Sequence, residues 1–169
     1  LFLFSLVLIA LSKTLFENRF SEFIKLIVSD KYIKVYKDSG LMMSLFTVFL
    51  FVVQIVSFSF FIHLLLTSFG YTVKTDWISF IQVFTFLTVF ILSKYLIEKI
   101  IGTAFDIEEF VEQFNLQKVS YRTFIGLFLL PINCFLYYNG SISHYFILFL
   151  LSIILIVNVF TYFLSIKNY

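Results

Sequence analysis

The sequence predicts an all-α fold, a polytopic transmembrane helical bundle with about five spans. Three observations predict it. Apolar runs at 41–69, 77–97, 124–138 and 142–166 lack acidic residues except near their ends, and a shorter run opens the chain at 1–11. About 20 apolar residues of helix cross the hydrocarbon core of a bilayer, where every backbone polar group must be satisfied inside its own segment. The chain is 61% hydrophobic and 13% charged, more apolar surface than one water-soluble core of this length could hide. The basic residues, finally, gather in particular connections between the runs.

The first span is expected at about 1–16. The chain starts inside an apolar run with no basic stretch before it, and Ser12, Lys13 and Thr14 follow in place of a small-residue cleavage site. This reads as the remainder of a true span with upstream residues missing, not as a secretory signal. Next comes an amphipathic segment in which Phe16, Phe20, Phe23, Ile24 and Ile27 recur at helical spacing while Glu17, Glu22 and Lys25 face elsewhere. Such a segment is expected along the membrane surface.

The second span is expected at 41–69 and the third at 77–97, joined by the short link 70–76 into an antiparallel hairpin. A second amphipathic helix follows, with Ile107, Phe110, Val111 and Phe114 as its apolar stripe and Asp106 with Glu109 as its start. Its other face is acidic, so the stripe is expected on the protein's own helices or on a partner instead of on anionic lipid. The fourth and fifth spans are expected at 120–138 and 142–166, with Asn139-Gly140 marking a tight turn between them.

Charge orients the bundle. Lys13, Arg19, Lys25, Lys31, Lys34 and Lys37 lie between the first two spans, Lys94, Lys99, Lys118 and Arg122 around the link between the third and fourth, and Lys167 after the fifth. Lys74 stands alone on the opposite side. Basic residues accumulate on the cytoplasmic side, which puts the start of the chain outside, the C-terminus in the cytoplasm and both amphipathic helices there as well. Residues 1–169 read as one integral membrane domain.

Composition also bounds the function. A formal net charge of +2 is too small to argue for nucleic acid. The single cysteine, Cys134, allows no intrachain disulfide, and no Cys/His spacing suits zinc. No cofactor is expected. Polar groups inside hydrocarbon are costly and mark candidate sites: Gln54, Gln82, Asn133 and Asn158 at varied depths, with His63 and His144 near the outer ends of their spans. The histidines lack a neighbouring carboxylate or cysteine, so ordinary hydrogen bonding outweighs a metal role. The amides are expected mainly to fix helix packing. Lys94 is expected to snorkel to the inner boundary with Glu98 one turn away. Asp106, Glu108, Glu109 and Glu112 form the densest carboxylate cluster, a candidate partner-facing patch whose ordinary role is to offset a helix dipole. Pro131 is expected to kink the fourth span, and Gly102 and Gly126 to permit close helix contact.

The stretch Lys94-Tyr95-Leu96-Ile97 to Ile101-Gly102, then Phe105, Glu108-Glu109, and finally Gly126 with Leu129-Leu130-Pro131 resembles an uncharacterised, domain-of-unknown-function family of polytopic inner-membrane proteins from Bacteroidota. The resemblance implies five spans in the inner membrane of a Gram-negative bacterium and supplies no catalytic residues. The functional expectation is a non-enzymatic integral inner-membrane subunit or accessory factor of a larger cell-envelope complex, with the lipid bilayer as its other partner. The alternatives are a small transporter or channel for a neutral or lipidic substrate, lined by Gln54, Asn133 and Asn158, and a lipid-modifying enzyme using Asp106, Glu109 and Glu112.

Overall fold

The computed structural model describes residues 1–25, 45–139 and 144–167, with side chains of the last helix as far as Phe163. These residues form six helices: α1 (Phe2–Leu15), α2 (Glu17–Ile24), α3 (Leu45–Ser68), α4 (Trp77–Ala104), α5 (Glu108–Tyr138) and α6 (His144–Lys167). Four of them, α3 to α6, are long and apolar enough to cross a membrane. Of the five stretches expected as spans, the last four correspond to these helices, and the first forms the shorter apolar helix α1. α1 is apolar but has 14 residues, about 21 Å at 1.5 Å per residue, short of a core about 30 Å thick.

α3 is the axle of the bundle. It packs against α1, α4, α5 and α6, most extensively against α5. Two aromatic clusters hold its ends. At the Trp77 end, Phe60, Phe61 and Leu64 of α3 meet Phe80 of α4, Leu129 and Leu136 of α5 and Ile147 of α6. At the opposite end, Phe46 and Leu50 meet Phe20 and Phe23 of α2.

That second cluster corrects the expectation for the first amphipathic segment. Phe16, Phe20 and Phe23 all stand edge-on to Phe46, and Phe23 also touches Phe124 of α5. The aromatic face is spent on the protein, and only Ile24 is left substantially exposed; Ile27 lies outside the described residues. Arg19 is buried with it, its guanidinium 4.9 Å from the Phe46 ring centre and Nη2 donating to Thr47 Oγ1 at 3.3 Å. A planar cation over an aromatic face keeps a favourable partner where water is excluded.

The second amphipathic helix and the fourth span are one helix. α5 runs unbroken from Glu108 through Pro131 to Tyr138. The fourth-span expectation began at 120 because polar residues such as Asn115, Gln117 and Lys118 interrupt the hydropathy, yet Asn115 and Gln117 are buried. α4 likewise continues past 97 to Ala104. At 28 and 31 residues, α4 and α5 measure about 42 and 46 Å, so this hairpin projects roughly 10–15 Å beyond a hydrocarbon core if untilted. The stripe of α5 divides along it. Val111 seats on Gly102 and Phe114 meets Tyr162 of α6 edge-on, while Ile107 and Phe110 remain about half exposed.

Both turns that bound α4 have the same construction. After α3, Gly70 takes φ +79°, with Gly70 N–H donating to Thr67 O and Tyr71 N–H to Leu66 O. After α4, Asp106 takes φ 56°, with Asp106 N–H donating to Thr103 O and Ile107 N–H to Gly102 O. A left-handed residue whose neighbours return to the last helical carbonyls is the Schellman stop. Asp106 therefore ends α4 and does not begin α5, whose N-cap is Ile107 without a side-chain bond. An aspartate suits the position because its short polar side chain tolerates the left-handed region better than most.

Candidate functional site

The interior surface between α3 and α5 is polar at its centre. Gln54 Oε1 accepts from Thr123 Oγ1 at 3.0 Å, Ser57 Oγ donates to Gly126 O at 2.7 Å, and Asn133 Nδ2 donates to Ser57 O at 2.7 Å. All of these residues are buried. The helices come this close because Gly126 has no side chain: a Cβ there would stand 3.0 Å from Gln54 Cα. Small residues that let backbones approach, with polar groups bonding across, are the usual adhesive between helices in lipid. Gln54 Nε2 and Asn133 Oδ1 have no partner among the described residues.

The amides expected to line one path divide between places. Gln54 and Asn133 share the α3–α5 interface. Asn158 of α6 donates to Ile154 O of its own helix and lines a separate cavity with Lys94, Lys118 and Arg122. Gln82 is on the exposed face of α4. Asn133 reaches across to α3 instead of answering a carbonyl freed by Pro131.

At the Trp77 end a cavity of about 220 Å³ is walled by Phe60, His63, Lys74, Asp76, Trp77 and Tyr137 among others. His63 is buried, with Nε2 3.5 Å from Lys74 O and Nδ1 unpartnered among the described residues. Its ring packs edge-on to Phe80, whereas His144 packs on Phe69 and Tyr145. The two histidines thus sit in different aromatic surroundings. Lys74 Nζ donates to Tyr137 O at 3.3 Å, tying the α3–α4 link to the end of α5. Asp76 caps α4: its Oδ1 accepts from the N–H groups of Ile78 and Ser79, and Oδ2 accepts from Ser79 Oγ at 2.6 Å. The Ser79 hydroxyl first, then these backbone donors, hold the Asp76 carboxyl below its ordinary value, because each bond favours the charged form.

At the other end, Lys118 Nζ donates to both oxygens of Glu98, at 2.6 and 2.7 Å. Glu98 therefore reaches across to α5, and Lys94, one turn back on α4, is left exposed. Beyond this pair the hairpin tip presents Glu108, Glu109 and Glu112, all exposed, with Glu109 Oε1 accepting from Gln113 Nε2 at 3.3 Å. Among the described residues no three His, Cys, Asp or Glu side chains are grouped closely enough to hold a metal ion.

Sequence reasoning named Gln54, Asn133 and Gly126 but missed Ser57, Thr123, Ser59 of α3 and Ser5 and Ser12 of α1, all buried. The signal was partial. Ser5 and Ser12, seven positions apart, repeat on one face of the otherwise bulky α1, whereas Ser57 and Ser59, two apart, share no face and give no such pattern.

The arrangement defines a class: an all-α, multi-pass membrane protein of four long apolar helices, with a polar interior seam and charged ends. Within that class the chain belongs to the family described as domain of unknown function DUF4271, which it matches over residues 1–169. No curated protein and no solved structure matches it.

Proposed function

We propose that this chain is a non-enzymatic integral subunit or accessory factor of a larger cell-envelope complex in a bacterial inner membrane, with the α4–α5 tip in the cytoplasm. The observation that carries the reading is that tip. It projects past the depth of a bilayer core and places Phe105, 72% exposed, beside the half-exposed Ile107 and Phe110, with Glu108, Glu109 and Glu112 alongside. Carboxylates are repelled by anionic headgroups, so this apolar and acidic mixture suits a protein partner with a basic rim better than the membrane surface. The sidedness is supported by Lys13, Arg19, Lys25, Lys94, Lys99, Lys118 and Arg122 against, among the described residues, Lys74 alone at the Trp77 end.

The transport alternative draws less support, since Asn158 stands apart from Gln54 and Asn133. The enzymatic alternative draws less again, since Asp106 serves as a helix stop and Glu109 bonds its own helix. The test is mass spectrometry of the tagged protein extracted from its native membrane in mild detergent. A stoichiometric set of co-purifying proteins is expected, lost on Phe105→Ser with Glu108→Lys and Glu112→Lys while the folded chain persists. A lone chain, or a set indifferent to the tip, would count against the proposal.

A further inference from the structure

We infer that the face where α4, α5 and α6 meet holds one anionic phospholipid, its phosphate against Lys94, Lys118 and Arg122 and an acyl chain in the groove between α5 and α6. Two cavities adjoin there. One, of about 360 Å³, is lined by the three cations together with Asn158, Thr161 and Tyr162. The other, of about 530 Å³, lies between α5 and α6 and is almost wholly apolar, with Phe124, Phe128, Ile153, Val157 and Phe160 in its wall. Thr161 belongs to both walls, so a chamber bearing three cations opens beside an apolar channel of the bulk of a lipid tail.

Charge complementarity selects the occupant. Among the described residues Glu98 is the acid that faces these cations, and its pairing with Lys118 leaves an excess of two positive charges. Among the described residues neither Lys94 nor Arg122 has a hydrogen-bond or ion-pair partner, and no acid lines the chamber to receive the amine of a zwitterionic headgroup. Asn158 Nδ2 gives one N–H to Ile154 O and Thr161 Oγ1 donates to Asn158 O, which leaves Asn158 one N–H for a phosphate oxygen while the cations supply the charge.

Depth selects it a second time. Counted from Trp77 and Tyr138, Lys94 lies about 25 Å, Arg122 about 24 Å and Lys118 about 30 Å along their helices, at the far boundary of a core about 30 Å thick. Phe128 and Ile153, in the groove, lie about 14–15 Å from Tyr138 and His144, near the bilayer middle. The chamber is thus at phosphate level and the groove at tail level. Basic pockets between spans at the inner boundary are a recurrent lipid-headgroup site.

The experiment is native mass spectrometry of the intact chain in detergent with phosphatidylglycerol or phosphatidylcholine at equal concentration, with inorganic phosphate as competitor. Phosphatidylglycerol should be retained preferentially and resist phosphate. Lys94→Gln, at an exposed position whose loss leaves the packing intact, should weaken retention about five-fold, and Arg122→Gln in addition about as much again. Val157→Trp, which fills the groove and leaves the charges untouched, should weaken it too. Equal retention of both lipids, or retention indifferent to Lys94→Gln, would overturn the site. Displacement by phosphate, or indifference to Val157→Trp, would overturn it by showing an anion site without a tail.

Discussion

α3 and α6 are nearly equal in apolarity, with mean hydropathy 2.5 and 2.6 over their most apolar stretches, yet 56% of that stretch is buried in α3 and 6% in α6. Hydropathy therefore says that both belong in a bilayer and nothing about which one the bundle is built around. The reason is physical. Lipid tails are as apolar as leucine, so no hydrophobic drive prefers one helix over the other for the interior. Close approach and bonds across the gap decide it. Gln54, Ser57 and His63 of α3 all face other elements, and Gly126 of α5 opens the space. The polar residues of α6 turn inward on their own helix, as Ser152 does to Leu148 O and Asn158 to Ile154 O.

The sharpest way to break this contrast is Gly126→Val. The new side chain would press on Gln54 Cα and Cβ, which include backbone that cannot step aside. Overpacking of this kind costs about 1–3 kcal/mol, and here it also pries Ser57 from the Gly126 carbonyl. The thermal midpoint in detergent should fall markedly, whereas Ser152→Val, exposed on α6, should leave it within about 0.5 kcal/mol of the parent. Equal midpoints for the two variants would mean that the α3–α5 seam is not what holds the bundle.

How much of this the sequence displays follows from the same contrast. Membrane immersion, the long helices and the short α3–α4 link are legible because each rests on a local property of a run of residues. The helix rank is not, since burial of α3 depends on the register between Ser57 and Gly126, 69 positions apart. The unity of α5 is hidden because Asn115 and Gln117 are buried against the protein, and hydropathy reads any polar residue as a departure from the membrane. Asp106 misleads for a related reason. Its carboxyl next to Glu109 looks like a helix start, but the backbone sign at that position is set by the hairpin and is invisible in the residue type. The cation chamber drew on residues that the charge count had already noticed. That count assigned them a side of the membrane and had no means of bringing three helices together around them.

α4 extends the comparison, for it is also only 6% buried and must be held by something other than an interior seam. Its ends supply the hold. At the far end Asp106 occupies a left-handed position that glycine adopts without steric cost. Asp106→Gly should therefore stabilise the chain by up to about 1 kcal/mol, read as a rise in thermal midpoint, with Asp106→Val lowering it. A glycine variant that melts earlier would show that the Asp106 side chain contributes more than its backbone conformation costs.

The smallest effect belongs to the other end of α4, where Asp76 caps the helix just before the span. Its carboxyl lies below the ordinary value of 3.8 because Ser79 and the first backbone donors of α4 bond the charged form. A depressed folded value means that the folded state holds the proton less tightly than the unfolded one. The stabilisation is therefore complete above the ordinary aspartate value and is lost as the pH falls through the lower, folded one. The thermal midpoint of the parent should drop on acidification across that window, and Asp76→Asn, which keeps an acceptor but not the charge, should show a shallower drop from a slightly lower start. Because Asp76 is partly open to solvent, salt should flatten its share of the slope. A variant as acid-sensitive as the parent would assign the slope to other carboxylates and leave the hold on this end of α4 to Phe80 in the aromatic cluster.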